Sequence, residues 1–216
     1  MGLAEIKLIA FDIDGTLIDS RDDIVDAVNF MLERLGLEAL PFKQIVSYIG
    51  TGVQDLIRQA LGSHLDMLEE GLSIFEKYYQ QHATNKSRLY PGVKQTLQFL
   101  SDKKKLVVVT NRNRQMAESS LEAFGLIAFF DKIFAAKGDS CLKPDPCQLN
   151  SIFKQFSFTR SQVMLVGDMD LDVISGKKAG ILTCGVTYGI GDKRKIIASK
   201  PDYLINNITQ LKEIVD

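Results

Sequence analysis

Cysteine is scarce and odd in number: Cys141, Cys147 and Cys184 are the only three. Their spacings match no zinc site, and so few cannot staple a disulfide-rich scaffold. Cys184 lies inside an apolar run and is expected as a small buried side chain, so a reducing, cytoplasmic setting fits. Histidine is scarcer still. His64 and His82 fall in one stretch without strand pattern, which argues against a histidine nucleophile or a histidine metal triad. Charge of one sign is also missing, since the formal net charge is -1 with no long block of either kind. Nucleic acid as main partner would favour a basic face, and the run Lys103–Lys105 reads as a solvated helix end. No stretch approaches the ~18 apolar residues of a membrane span. The opening MGLAEIKLIAFD runs straight from a short apolar part into acids, so a signal peptide is not expected.

What is present is alternation. The 216 residues, 45% hydrophobic and 25% charged, suit one sizeable domain or a core with a smaller companion. KLIAF (7–11), KLVVVT (105–110), KIFAA (132–136), VMLVGD (163–168) and LTCGVTYG (182–189) read as strands, with DYLI (202–205) a further short one. Most are continuously apolar, the pattern of strands covered on both faces. Between them run helical stripes: Val93, Leu97 and Leu100; Met116, Leu121 and Phe124, stopped by Gly125; and Leu149, Ile152, Phe153 and Phe156. Such alternation gives an α/β fold with a doubly wound parallel sheet. From about Ser20 to Arg88 the rhythm breaks. Ser20 stands where it can cap a helix with the stripe Ile24, Val28, Leu32 and Leu35, closed by Gly36, and two more helical patterns follow it. The expected organisation is a core of residues 1–16 and 89–216 with an inserted helical cap over 17–88. Neither repeats nor a low-complexity linker interrupt it.

Polar residues stand where four of the apolar runs stop: Asp12 and Asp14, Thr110 and Asn111, Lys143 in the loop after KIFAA, and Asp168. Parallel strands all end on one side of their sheet, and ligands gather there. In DIDGT (12–16) the two-residue period turns both carboxylates one way and Ile13 into the core, while Gly15 permits a tight turn. Two neighbouring carboxylates do not readily both ionise unless a cation neutralises them. The pair therefore suits divided labour, one carboxylate as a cation-bound nucleophile and the other as a proton carrier.

As an ordered set, DIDGT (12–16), VVVTN (107–111), KPDP (143–146) and GDMDLD (167–172) resemble the four motifs of the haloacid dehalogenase superfamily. The helical insert resembles the cap of that superfamily's first subclass. TLIDS (16–20) and YIGTGVQDLI (48–57) are most similar to its phosphoglycolate phosphatases. The resemblance implies a phosphoric monoester hydrolase in which Asp12 attacks phosphorus and forms an aspartyl-phosphate. Asp14 would protonate the leaving alcohol and then deprotonate the attacking water. The Thr110 hydroxyl and Asn111 backbone N–H would hold phosphoryl oxygens, and Lys143 would offset the gathered negative charge. The resemblance also implies Mg²⁺, held by the Asp12 and Asp168 carboxylates and the Asp14 carbonyl. Asp172, one turn on, would bind a metal water or Lys143.

Substrate contacts are expected from Gly15 and Asn111 and, on the cap, from Gly50, Thr51 and Gly52, a loop before a helix start that can receive an anionic group. Arg21, Arg112 and Arg114 are candidate substrate contacts, with a solvated-surface role the leading reading for each. One departure from the family pattern is Met169, which stands where Ser or Thr is usual; the extra acid Asp170 reads as an exposed helix-start residue. The implied substrate is a small phosphorylated metabolite, phosphoglycolate first, acted on by a monomer or homodimer. A phosphomutase like β-phosphoglucomutase, a pyrophosphatase or a nucleotidase shares the core motifs. The dehalogenase branch lacks the acid at the Asp14 position, and a non-catalytic binding protein has no support, since every acid and the lysine are present.

Overall fold

The computed structural model describes residues 5–138 and 140–215. In chain order the strands are β1 (Leu8–Phe11), β2 (Ile18–Asp19), β3 (Arg88–Leu89), β4 (Lys105–Asn113), β5 (Lys132–Ala136), β6 (Val163–Gly167), β7 (Leu182–Val186) and β8 (Tyr203–Ile205). Six of them form one sheet in the order β5-β4-β1-β6-β7-β8, with every pairing parallel. Leu8 aligns with Lys105 on one side and Val163 on the other, so β1, β4 and β6 start in register, and β4 runs on past Val108, the partner of Phe11, to Asn113. Alternate residues of β1 serve different layers. Leu8 and Ala10 pack with Leu149 and Ile152, whereas Ile9 and Phe11 pack with Leu97 and Leu121. Burial on both faces explains why these strands read as unbroken apolar runs.

Between β2 and β3 lie four helices: α1 (Arg21–Arg34), α2 (Phe42–Val46), α3 (Val53–Leu61) and α4 (Leu68–His82). They have their own apolar core, which includes Val28, Met31, Ile57 and Phe75. β2 and β3 pair antiparallel beneath them, so the chain leaves and re-enters the sheet layer through one two-stranded ribbon. Buried Asp23 clamps that neck. Its carboxylate accepts from the backbone N–H groups of Lys86 and Ser87 and, at 2.6 Å, from the Ser87 hydroxyl.

One local expectation needs correction. Ser20 does occupy the N-cap position of α1 but caps no helix N–H; its hydroxyl donates to Asp14 instead. Cys141 and Cys147 are joined in a disulfide with Cα atoms 5.5 Å apart, an ordinary separation. The bond closes the loop that carries Lys143. Cys184 is a buried free thiol, as expected from its apolar run.

Candidate active site

The carboxyl ends of β1, β4 and β6 deliver the rim. Asp12 follows β1 directly, and its N–H donates to Val166, which carries the strand pairing one residue further. Ile13 is fully buried in the core, so Asp12 and Asp14 are left on the rim side. The chain then turns through Gly15 at φ +79°. A Cβ on Gly15 would lie 2.0 Å from an Asp168 carboxylate oxygen, so this glycine lets the turn rest against that carboxylate. Asp168 is held from three sides. Thr16 donates to Oδ1 at 3.2 Å, and the N–H groups of Ile190 and Gly191 donate to Oδ2 at 2.8 Å.

Lys143 reaches the same place from its loop. Its Nζ lies 2.8 Å from Asp12 and 2.6 Å from Asp172, and donates to the Val109 carbonyl at 3.1 Å. Asn111 fixes that loop: its side-chain carbonyl accepts from the Lys143 N–H at 2.7 Å, and its amide donates to the carbonyls of Lys143 and Gly50. The Asn111 side chain thus ties strand end, lysine loop and helical segment together, a positioning role that the motif alone did not suggest.

Asp172 and Asp170 are separated clearly. Asp172 is buried, accepts from Lys143 and from the Met169 N–H, and belongs to a carboxylate cluster with Asp12 and Asp168. Asp170 begins the helix α5 (Asp170–Ala179) half-buried, outside that cluster.

Oxygens of Asp12, Asp168 and Asp172 lie within 4.8 Å of one another. Three buried carboxylates face one buried ammonium, and the electrostatics register the deficit. Burial, reinforced by the Asp172 and Asp14 charges, pushes the Asp12 carboxyl up to about 7 against the opposing pull of Lys143. Burial also holds Asp168 well above the usual carboxylate range, with Asp172 and Asp12 adding to it. For Lys143, burial alone would lower the ammonium, but the Asp12 and Asp172 charges outweigh it and raise it. A divalent cation among hard oxygens would relieve this repulsion. Asp12, Asp168 and Asp172 each offer one carboxylate oxygen to such an ion.

A cavity of about 50 Å³ opens between this rim and the helical segment. Asp12, Asp14, Thr110, Asn111 and Arg112 form its polar side, while Ile24, Val53, Leu56 and Phe75 form its apolar side. Gly50 and Gly52 also line it. Gly15 and Thr51 are not among its lining residues: Gly15 faces Asp168, and Thr51 is exposed with its hydroxyl on the Tyr48 carbonyl. Arg112 departs from the solvated reading. It is 6% exposed because β4 continues through it to Asn113, with a register shift past Thr110 that keeps its side chain inside. Arg114 is exposed and pairs with Glu118, and Arg21 pairs with Asp19 in the ribbon. His64 is exposed and His82 packs against Tyr78, both away from the rim.

Met169 also finds its explanation here. With Ile190 and Met116 it packs onto the apolar core of the helical segment, and a Cβ on Gly50 would stand 2.2 Å from its sulfur. Where a hydroxyl is usual, this chain has an apolar contact between rim and insert.

Comparison with known proteins agrees with the geometry. The family model described as haloacid dehalogenase-like hydrolase matches residues 9–186. The chain belongs to that family. A phosphoglycolate phosphatase of Vibrio parahaemolyticus is 33% identical over 98% of this chain and 96% of its own length. One from Haemophilus influenzae is 35% identical over 98% and 99%. Among solved structures, a predicted phosphoglycolate phosphatase from Haemophilus somnus superposes over the whole of both chains with TM-score 0.93 at 29% identity. The six-stranded parallel sheet is thus the haloacid dehalogenase core, and no helix among the described residues is long and apolar enough to cross a membrane.

Proposed function

We propose that this haloacid dehalogenase-like hydrolase is a Mg²⁺-dependent phosphatase of small phosphate monoesters, with 2-phosphoglycolate as its first substrate. The observation that carries the reading is Lys143 lodged between Asp12 and Asp172, with Asp12 also clustered with Asp168 and lining one cavity with Asp14. A carboxylate attacking a phosphate dianion needs fixed positive charge, and the buried ammonium supplies it at the nucleophile itself.

In this reading an Asp12 carboxylate oxygen bonds to phosphorus as the ester P–O bond breaks, and Asp14 gives its proton to the departing alkoxide. Water then attacks the aspartyl-phosphate, Asp14 takes the water's proton, and inorganic phosphate leaves with Asp12 restored. The Thr110 hydroxyl and Asn111 N–H orient the phosphoryl oxygens. Mg²⁺, held by Asp12, Asp168 and the Asp14 carbonyl, would neutralise charge on the phosphoryl oxygens.

Residues 17–88 act as a cap in this scheme, and the apolar wall they supply excludes water from the reacting group. Asp12 and Asp14 share the cavity's lining with Ile24, Val53, Leu56 and Phe75 of that segment, so a leaving group beside the acids meets the cap directly. The reading includes the cytoplasm as compartment and a monomer or homodimer as the working form. Two named phosphoglycolate phosphatases at 33% and 35% identity along nearly the whole chain support the substrate class.

The test is multiple-turnover release of inorganic phosphate from phosphoglycolate, sugar phosphates, nucleotides and pyrophosphate, with Mg²⁺ and with chelator. Preferred release from a short ester, abolished by chelator, is the expected result. Preference for pyrophosphate or a nucleotide, or transfer of phosphate to a sugar without release, would overturn it.

A further inference from the structure

Arg112 is the buried charge that the proposed chemistry does not use. Its Nε donates to Asp14 Oδ2 at 2.6 Å and its Nη2 donates to Asp14 Oδ1, so the guanidinium fork is filled by a carboxylate. The opposite edge is anchored within the protein: Nη1 donates to the Ser120 hydroxyl at 2.7 Å and Nη2 to the Tyr79 hydroxyl at 2.7 Å. Tyr79 comes from α4 of the helical segment and Ser120 from the helix after β4, so the fork is aimed by two separate elements. Among the residues lining the cavity it is the one cationic side chain, and Ile24, Ile49, Val53, Leu56, Phe75 and Met116 make much of the rest apolar. An anionic leaving group entering there meets no other side-chain cation, and planar bidentate pairing is the contact that a guanidinium makes best with a carboxylate.

We infer that Arg112 is the specificity-determining anchor for a carboxylate carried on the leaving group, and that the Asp14 carboxylate occupies its fork until such a substrate arrives. The inference rests on the phosphatase reading and narrows it: the preferred substrates are phosphate esters of short hydroxy acids. Exchange of one carboxylate for another on the same fork also has a consequence for Asp14. When the substrate takes the guanidinium, Asp14 is released from it toward the ester oxygen, so binding of the right leaving group frees the group that serves it.

The experiment compares kcat/KM for 2-phosphoglycolate with that for its neutral amide, 2-phosphoglycolamide, in the parent, Arg112→Gln and Arg112→Lys. The parent is expected to prefer the carboxylate by about 10²-fold, the scale of a charge-assisted bidentate contact. Arg112→Gln should bring the ratio within about 3-fold of unity, with the larger change in KM for the carboxylate ester, and Arg112→Lys should keep part of the preference. A purely structural role predicts that both esters lose rate together and the ratio stands. That outcome overturns the inference, as does a parent that cleaves the two esters equally well. If Arg112→Gln does not fold, the parent ratio and Arg112→Lys decide by the same criteria. A parent that releases phosphate from no monoester refutes the underlying reading instead, and this inference falls with it.

Discussion

Replacing Lys143 by methionine isolates the electrostatics of the rim. The substitution keeps most of the stem and removes an ammonium lying 2.8 Å from Asp12 and 2.6 Å from Asp172. The Lys143 side chain is 1% exposed, so solvent cannot replace the lost charge. Removing one partner from a buried ion pair costs roughly 3–5 kcal/mol, and for a chain of this length each kcal/mol moves the melting midpoint by roughly 2–4 °C. The metal-free variant should therefore melt roughly 6–20 °C below the parent near pH 8. The sign of the pH dependence follows from Asp12. Burial pushes that carboxyl up to about 7, so near pH 5 it is mostly neutral and Lys143 has less charge to balance. Lys143 itself stays protonated across this range, since the Asp12 and Asp172 charges outweigh burial and raise it. The stability cost should accordingly shrink on acidification. Thermal melts in chelator at the two pH values measure it. An equal cost at both, or a loss under about 2 °C near pH 8, would refute the reasoning.

Four further outcomes are expected. The parent without metal should lose stability as pH rises from about 4 through about 7, because a carboxyl held above its ordinary value stabilises only while protonated. Added Mg²⁺ should then raise the melting midpoint more at pH 8 than at pH 5, and the reverse order in a thermal-shift titration would contradict the cation site. Gly15→Ala places a methyl 2.0 Å from Asp168 Oδ2 at φ +79°, so Mg²⁺ affinity by calorimetry should fall by roughly 10-fold or more; unchanged affinity would detach Asp168 from the metal. Asp14→Asn should slow an alkyl phosphate by about 10²–10⁴-fold and p-nitrophenyl phosphate far less, since its leaving group needs no proton. An equal loss on both esters would count against general acid catalysis.

The sheet was legible because its strands are buried on both faces, which leaves unbroken apolar runs such as KLVVVT. β2 and β3 were not. Each is two residues long, too short for a period, and they are paired by a neck that Asp23 closes from 63 and 64 residues away. The five-residue helix α2 escaped for the same reason.

On the rim, strand-end position alone brings Asp12, Asp14, Lys143 and Asp168 to one neighbourhood, because a parallel sheet collects its strand ends. Arg112 shows where that logic stops. A solvated role is the leading reading for Arg112 in the sequence, whereas its burial depends on a register shift in β4 and on Tyr79, 33 residues earlier in a different element. Ser20 was likewise read by its local role, while its hydroxyl serves Asp14 across the turn. The disulfide between Cys141 and Cys147 depends on how the lysine loop folds back, which spacing alone does not disclose.

The most direct measurement is chemical trapping at Asp12. Enzyme mixed with 2-phosphoglycolate and Mg²⁺ and quenched in acid within the first turnover should yield a peptide spanning Asp12 that carries one added phosphoryl group, absent from the Asp12→Asn variant. Phosphoryl transfer to another residue, or full turnover with Asp12 never modified, would contradict the central claim that this carboxylate takes up the phosphate covalently.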